Sequence, residues 1–307
     1  MDEQAIRAFL ADRFGPDAVV EVMRPGEWSA AYSVRTADRE LVARFSAYDE
    51  DFEKDAYAAR WRSAALPIPP ILDRGPAGDG YYAVAQRMPG AHIDRLDGAR
   101  MRAVLPSLFA ALDAMRAVDL SAWSGYGGWR ADGRTQHRSW TERLLGIATE
   151  PATRGAPGTT REMLRTWPDA ERTFDAGYAR MAALIEHCPE QRHLIHDDLI
   201  NYNVLVAGDR ISAVLDWGSS SFGDFLYDIA KLVFYGPWYP AWRNIDFAAE
   251  ARAHFARAGI AVPDLDERLL CYALRIGIGG IGYNAFRQRP QRVADDAARV
   301  MELLEAA

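Results

Sequence analysis

The sequence of 307 residues predicts an α+β fold in two lobes, an N-terminal antiparallel sheet plus helix and a mainly helical C-terminal lobe with one β-hairpin. Short apolar runs bounded by Gly- or Pro-containing turns, typical of strands, are concentrated in the first 86 residues. After the MPG segment at 88–90, apolar residues recur at helical spacing. The exception is 204–215, where two apolar arms flank a Gly-Asp pair typical of a hairpin turn. The predicted lobes are residues 1–88 and 89–307.

The composition is that of an ordinary globular protein, with 49% hydrophobic and 26% charged residues. No apolar run approaches the roughly 18 residues of a membrane span, and the amino terminus lacks the layout of a signal peptide. We expect a cytoplasmic protein with no membrane partner, and a monomer. Cys188 and Cys271 have no metal or redox spacing and are expected to be buried thiols. The net charge of −7 argues against a nucleic-acid partner and fits a cationic substrate, although solubility alone explains such a charge in many proteins.

The first lobe is predicted to begin with a helix. Residues 3–14 carry apolar side chains at helical spacing, and Gly15-Pro16 ends this helix. The LPIPP segment at 66–70 cannot be helical, because proline removes a backbone donor and restricts the residue before it. The remaining predicted elements are strands at 18–23, after the turn in PGEWSAAYSV, at 41–45 and at 81–86, and a helix at 49–63. A Gly-rich turn is expected between Ile71-Leu72 and the strand at 81–86.

The second lobe is predicted mainly from helical periodicity. The predicted helices are 98–118, 140–147, 169–187, 224–235, 246–258 and 266–287, with an irregular Gly-rich segment at 123–138 and a loop at 150–160. The IGIGGIG segment at 276–282 follows no strand, so it indicates close helix packing and not a phosphate-binding loop.

The strongest chemical signal lies at the predicted hairpin. His196, Asp198 and Asn203 are spaced H-x-D-x-x-x-x-N, and Asp216 follows in an Asp-Trp-Gly triplet. A two-residue hairpin tip predicts that Asn203 faces Val214 and that Asp216 lies one step further on the same face. Adjacent amide and carboxylate oxygens suit Mg²⁺, and a further carboxylate, Asp198, suits the base that an acceptor hydroxyl needs. The pattern indicates a phosphoryl-transfer site of the protein-kinase type.

HDDLINYNVL followed by AVLDW resembles the aminoglycoside phosphotransferase and choline kinase superfamily, small-molecule relatives of protein kinases. Within it, similarity to hygromycin B phosphotransferases extends from about Ile6 to Phe286. Three segments carry this narrower likeness: RFSAYDEDFEKDAYAARWRSAALPIPPILDRG, RHLIHDDLINYNVLV and DWGSSSFGDFLYDIAKLVFYGPW. The resemblance implies a kinase-like bilobal fold, ATP and Mg²⁺ as cofactors, and phosphorylation of a hydroxyl of an aminoglycoside, most of all hygromycin B. Antibiotic resistance is the expected consequence.

The resemblance also implies roles around the catalytic loop. Asp198 is the catalytic base and contacts the acceptor, and Asn203 and Asp216 hold Mg²⁺. Asp228 ties down the loop and orients it. His196 is expected to pack beneath the loop and bond to backbone, with a role as ligand or base as the alternative.

In the first lobe the resemblance places the nucleotide. Arg44 stands where most kinases carry the lysine that holds the α- and β-phosphates, and Asp55 is its expected helix partner, with an unrelated surface salt bridge as the alternative. The turn with Ser29 lies where a loop covers the nucleotide, but a single glycine there fits an ordinary hairpin equally well. The backbone of Gln86 to Met88 is expected to bond adenine.

The acceptor side is least constrained. Tyr235 and Trp238 belong to an aromatic cluster that is either core or a stacking wall for sugar rings. Two other functions stay open: a metabolic kinase with a choline-, thioribose- or macrolide-type acceptor, and a non-catalytic nucleotide-binding protein or sensor on the same fold. The intact set of Asp198, Asn203 and Asp216 favours an enzyme.

Overall fold

The computed structural model describes residues 1–24, 26–200 and 202–306. Its first lobe contains α1 (Glu3–Phe14), β1 (Val19–Val22), β2 (Ser29–Arg35), β3 (Glu40–Ser46), α2 (Glu50–Ala58), β4 (Ile71–Ala77) and β5 (Gly80–Gln86). The five strands form one antiparallel sheet in the order β1-β2-β3-β5-β4. Ile6 and Leu10 of α1 are buried in a separate small core against Tyr32, Phe45 and Tyr82. Burial of this apolar face attaches α1 to the sheet.

Two elements of the first lobe differ from the prediction. The helix predicted to reach residue 63 ends at Ala58, and a single 3₁₀ turn, Ala59–Trp61, follows. Strand β4 was not predicted, and it runs through Gly75 and Pro76, where a Gly-rich turn was expected. It is an edge strand, and proline is tolerated there because residues on the open side of an edge strand donate no hydrogen bond to a neighbouring strand.

The second lobe contains most of the larger hydrophobic core. Its strands are β6 (Ala91–His92), β7 (Tyr126–Trp129), β8 (Thr135–His137), β9 (His193–Ile195), β10 (Val204–Ala207), β11 (Arg210–Val214) and β12 (Ser221–Gly223). Its helices are α3 (Gly98–Arg116), α4 (Trp140–Leu145), α5 (Thr160–Leu164), α6 (Pro168–Ala183), α7 (Leu226–Tyr235), α8 (Phe247–Ala258), α9 (Leu265–Phe286) and α10 (Pro290–Ala306). The strands form two small sheets, β11-β10-β6 and β8-β7-β12-β9. Both cysteines are buried, as predicted.

The segment predicted to be irregular, 123–138, forms the β7–β8 hairpin. Its Trp129 is buried and stacks on Phe222 of β12, with ring centroids 5.6 Å apart. The prediction was wrong because β7 has no apolar alternation of its own. Its pairing is with β12, about ninety residues later in the chain.

Helix α10 was not predicted, although its amphipathic pattern and its first-turn proline are visible in the sequence. It packs closely on α9 through the glycine-rich segment. A Cβ at Gly277 would lie 2.5 Å from Val300, and one at Gly280 would lie 2.7 Å from Asp296. The predicted close packing of this segment is confirmed.

Helix α9 is, in the described part of the chain, the one helix long and apolar enough to cross a membrane by length and composition. This differs from the expectation that no segment approaches a span. In the structure 67% of its apolar window is buried inside the protein.

The hairpin of β10 and β11 differs in register from the prediction. Val204, not Asn203, lies opposite Val214, because a bulge between Leu205 and Val206 adds one residue to β11. The backbone N–H of Leu215 instead donates to the carbonyl of Asn203 at 2.7 Å. Asn203 therefore faces Leu215, the residue directly before Asp216.

Candidate active site

The catalytic loop joins β9 to β10 and rests on the buried side chain of His196. The Nε2 of His196 bonds the Leu215 carbonyl at 2.9 Å, and its Nδ1 accepts the backbone N–H of Asp198 at 3.2 Å. Burial lowers the pKa of His196 to about 4. A neutral imidazole with both nitrogens engaged in this way supports the loop, which is the contact pattern predicted for His196.

Asp228, in the first turn of α7, holds the same loop by its backbone. Its two carboxylate oxygens accept the N–H groups of His196 and Asp197, each at 2.8 Å. Burial raises the pKa of Asp228 to about 7, although the hydrogen bonds from the His196 and Asp197 amides act to lower it. The predicted tie between Asp228 and the loop is present.

Asp198 is half-buried and is oriented by Asn203. The side-chain amide of Asn203 donates to the Asp198 carbonyl at 2.8 Å and to its Oδ2 at 2.9 Å. With its nitrogen directed at Asp198, the amide of Asn203 directs its oxygen elsewhere. One residue thus fixes the candidate base and leaves a hard oxygen ligand for a cation.

Arg44 of β3 lies between two carboxylates. It pairs with Asp55 of α2, the predicted partner, and its Nη1 lies 3.6 Å from Oδ1 of Asp216. The other oxygen of Asp55 accepts the backbone N–H of Trp217 at 2.7 Å. Arg44 and Asp55 therefore bring the first lobe into contact with the segment that carries Asp216, whose backbone is left-handed at φ 58°.

The proposed magnesium ligands fit the ion by chemistry. Within 1–24, 26–200 and 202–306, no three His, Cys, Asp or Glu side chains are arranged to hold a metal. Mg²⁺ bound together with substrate phosphates needs only one or two protein carboxylates, however. The Asp216 side chain, 49% exposed, would supply one carboxylate, and the amide oxygen of Asn203 would supply a further hard oxygen ligand.

The remaining nucleotide-site residues, Ser29, Gln86 and Met88, stay predictions. Ser29 is the first residue of β2, and its carbonyl accepts the N–H of Gly26 at 2.9 Å in a tight turn. Gln86 ends β5 and is exposed, whereas Met88 is half-buried. The intervening Arg87 N–H is already bonded to the Glu40 carbonyl at 3.0 Å. Pro25, in the predicted nucleotide-covering turn, and Asn201, in the catalytic motif, lie outside the described residues.

The aromatic cluster divides into two parts. Trp242 is fully buried, stacks on the half-buried Tyr239 at 4.1 Å and donates to the Leu96 carbonyl, so Trp242 is core. Tyr235 and Trp238 are half-buried and meet edge to face at 5.0 Å. Burial and then the charge of Asp296 raise the pKa of Tyr235, and Asp198 contributes in the same direction.

The sequence matches the phosphotransferase enzyme family over residues 22–271, most of the chain. The chain belongs to this family. Hygromycin-B 4-O-kinase of Escherichia coli is 33% identical to this phosphotransferase over 283 residues, which are 89% of this chain and 77% of that protein.

Solved structures agree with this assignment. A crystal structure of aminoglycoside phosphotransferase APH(4)-Ia matches this chain with a TM-score of 0.84 at 28% identity, over 100% of this chain and 99% of the other. A thermostable mutant of that enzyme, in ternary complex with AMP-PNP and hygromycin B, matches with a TM-score of 0.82 at 29% identity, over 98% of each chain. Wild-type aminoglycoside 2'-phosphotransferase-IIIa, as a GDP complex, shares the fold at a TM-score of 0.69 and 14% identity, over 99% of this chain and 98% of the other. The predicted family, fold class and enzyme class are confirmed.

Sequence reasoning missed several residues that hold the phosphotransferase site together. Lys54 of α2 donates to the carbonyls of Gly218 and Ser220 at 2.9 and 2.8 Å, just beyond Asp216. Burial lowers the pKa of Lys54 to about 8. Lys54 lies next to Asp55 in the chain, and nothing in the local pattern separates it from a solvated helix lysine.

Asp94 and Glu27 were missed for the same reason. Asp94 accepts the backbone N–H of Tyr202 in the catalytic loop at 2.9 Å and the hydroxyl of Tyr239 at 2.7 Å. Glu27, in the turn before β2, pairs with Arg289 and lies 3.1 Å from Arg287, beyond the end of α9. Their partners are more than a hundred residues away, so only the fold reveals these contacts.

Proposed function

We propose that this phosphotransferase transfers the γ-phosphoryl group of ATP to a hydroxyl of hygromycin B, and that this confers resistance to the antibiotic. The chemistry rests on one observation: Asp198 is held by Asn203 at 2.9 Å within a loop that His196 and Asp228 support. The acceptor rests on the 33% identity to a hygromycin-B 4-O-kinase. We assign the 4-hydroxyl as the site of transfer for that reason.

Each residue has a stated part in the reaction. Asp198 accepts the proton of the acceptor hydroxyl. The hydroxyl oxygen bonds to the γ-phosphorus as the bond between that phosphorus and the leaving ADP oxygen breaks. Arg44, steadied by Asp55, binds the α- and β-phosphates with its planar fork. Asn203 and Asp216 would hold Mg²⁺, which offsets charge on the terminal phosphates when it is bound.

The acceptor binds against Tyr235 and Trp238 in this proposal. Sugar and cyclitol rings pack on aromatic faces, and the nearby Asp198 carboxylate favours a cationic ligand. The nucleotide is ATP by the likeness to a structure that contains AMP-PNP. Phosphorylation places negative charge on a drug that otherwise binds nucleic acid as a cation.

The test is acceptor labelling. Purified protein, Mg²⁺ and γ-labelled ATP are incubated with hygromycin B, a second aminoglycoside, choline, a thioribose and a macrolide. We expect label in hygromycin B, phosphorus coupling to the proton at carbon 4 of the product, and none of this with Asp198→Asn. If choline, the thioribose or the macrolide is labelled and hygromycin B is not, that compound class is the acceptor and the assignment of hygromycin B is wrong. If no compound is labelled, the result favours a nucleotide-binding protein without catalysis.

A further inference from the structure

The residue next to the proposed base has an unusual backbone. Asp197 lies between His196 and Asp198 with φ 63°, in the left-handed region that glycine adopts most easily. A side chain at such a position carries a conformational cost, which Asp and Asn tolerate best. The side chain of Asp197 is only 13% exposed, so it is not simply a solvated polar group.

The Asp197 carboxylate faces two cations. The ammonium of Lys231 lies 2.9 Å from its Oδ1, and the guanidinium of Arg143, from α4, lies 3.8 Å from its Oδ2. Both cationic side chains are 18% exposed. Lys231 lies one turn after Asp228 on α7, so this turn of the helix binds the loop twice, by backbone through Asp228 and by side chain through Lys231.

Asp198 is also within electrostatic reach of Lys231. Burial lowers the pKa of Lys231, but the charge of Asp197, with Tyr227 and Asp198, more than offsets this and holds the pKa above its ordinary value. Lys231 is therefore a charged ammonium that contacts Asp197 and is also stabilised by the charge of Asp198, the proposed base. A lysine side chain has a flexible four-carbon stem and can exchange one partner for another.

We propose that Asp197 is a positioning residue that engages Lys231 and so keeps the Asp198 carboxylate available to the acceptor hydroxyl. The inference rests on the proposed function, because it takes Asp198 as the base. Without the Asp197 charge, Asp198 is the remaining carboxylate of the loop whose charge acts on the ammonium, and the Lys231 side chain is only 18% exposed. Pairing with Asp198 would turn that carboxylate away from the acceptor and occupy its lone pairs.

This proposal differs in its consequences from a purely structural ion pair. If the pair only stabilises the fold, loss of either charge lowers stability, and loss of both does not repair catalysis. If Asp197 restrains Lys231, the defect of an uncharged residue 197 comes from the freed lysine. Removal of that lysine should then restore the rate.

The experiment is a suppression test with Asp197→Asn. Asparagine keeps the size of the side chain and tolerates the left-handed backbone, but it has no charge. We expect kcat to fall roughly tenfold to hundredfold, no more than the low end of the 10²–10⁴-fold typical of losing a general base, with little change in the KM for ATP. Asp197→Asn combined with Lys231→Met should recover at least about tenfold in kcat over Asp197→Asn alone, or the whole loss if that is smaller.

Two results would overturn the inference: wild-type kcat in Asp197→Asn, or no recovery in the double variant. Asp197→Gly, which suits the left-handed backbone, provides a second test if the asparagine variant does not fold, and Lys231→Met should suppress its defect equally. All variants are assayed with the compound that the wild type labels, so a wrong acceptor does not affect the comparison. If the wild type labels no acceptor, the proposed function fails, and if Asp198→Asn retains the wild-type rate, Asp198 is not the base; both results are separate from the suppression test.

Discussion

Replacement of Asp55 by asparagine should weaken binding of Mg·ATP without disturbing the segment that follows Asp216. Asp55 makes two contacts with different requirements. Its Oδ2 pairs with the Arg44 guanidinium, which needs a charge, and its Oδ1 accepts the N–H of Trp217 at 2.7 Å, which needs only an oxygen. Asparagine removes the first contact in large part and keeps the second, whereas alanine removes both.

The size of the effect follows from burial. Asp55 is 7% exposed and Arg44 is 20% exposed, so their pair is screened less than a surface pair. Hydrogen bonds to charged groups contribute about 1.5–3 kcal/mol, and we take about 2 kcal/mol because Arg44 keeps some solvent. Freed from Asp55, Arg44 can shift to Asp216, 3.6 Å away, and compete with the cation for that carboxylate. A loss of about 2 kcal/mol is roughly a thirtyfold rise in the Kd of Mg·ATP.

The assay is calorimetric titration of Mg·ATP into wild type, Asp55→Asn and Asp55→Ala, with Glu53→Gln as the control. Glu53 lies on the same helix, but its side chain is 40% exposed and 3.9 Å from Arg74, so its loss should change Kd by less than twofold. Asp55→Ala should also lower the free energy of unfolding by a further 1–3 kcal/mol or so, because the Trp217 N–H is left buried and unpaired. A Kd for Asp55→Asn within about threefold of the Glu53→Gln value would refute the role assigned to this pair.

Four further outcomes are expected. Asp198→Asn should lower kcat by roughly 10²–10⁴-fold while nucleotide binding is kept; retention of more than about a tenth of kcat would remove Asp198 from the role of base. Asp216→Ala should weaken binding of Mg·ATP far more than that of metal-free ATP, and equal weakening in titrations with and without Mg²⁺ would assign it to structure. Burial raises the pKa of Asp296 from 3.8 to about 7, so its ionisation opposes folding and stability should decline as pH rises through this interval. In chemical denaturation, Asp296→Asn should therefore gain stability relative to wild type between these pH values, by at most roughly 4 kcal/mol, and a pH-independent difference would contradict this. Arg268→Met should destabilise by about 3–5 kcal/mol, because it leaves the fully buried Asp224 carboxylate unpaired, and a thermal midpoint equal to that of wild type would contradict the importance of this ion pair.

The parts of the fold that were predicted correctly depend on local pattern. Helix α1 and the hairpin arms follow from apolar spacing over a few residues, and the glycines of α9 indicate close packing because they lack side chains. The spacing of Asp198 and Asn203 is short enough that one loop must carry both. Helix α10 has the same kind of local apolar spacing, so it was predictable from the sequence and was overlooked.

Contacts between distant segments were decided only by the tertiary structure. The bulge that shifts Asn203 opposite Leu215 is one extra residue in a strand, and alternation alone does not register it. The β7–β8 hairpin is stabilised by pairing with β12, and the local sequence of 126–137 does not predict this pairing.

The candidate site shows the same division. Sequence alone determined which residue types could perform phosphoryl transfer, because ligand chemistry and loop spacing are local properties of His196 to Asp216. The sequence alone did not determine which charged side chains contact one another around the catalytic loop. Asp197 and Lys231 are 34 positions apart and meet at 2.9 Å only because α7 packs against the catalytic loop. An ion pair depends on distance and burial, and both are set by the packing of the whole second lobe.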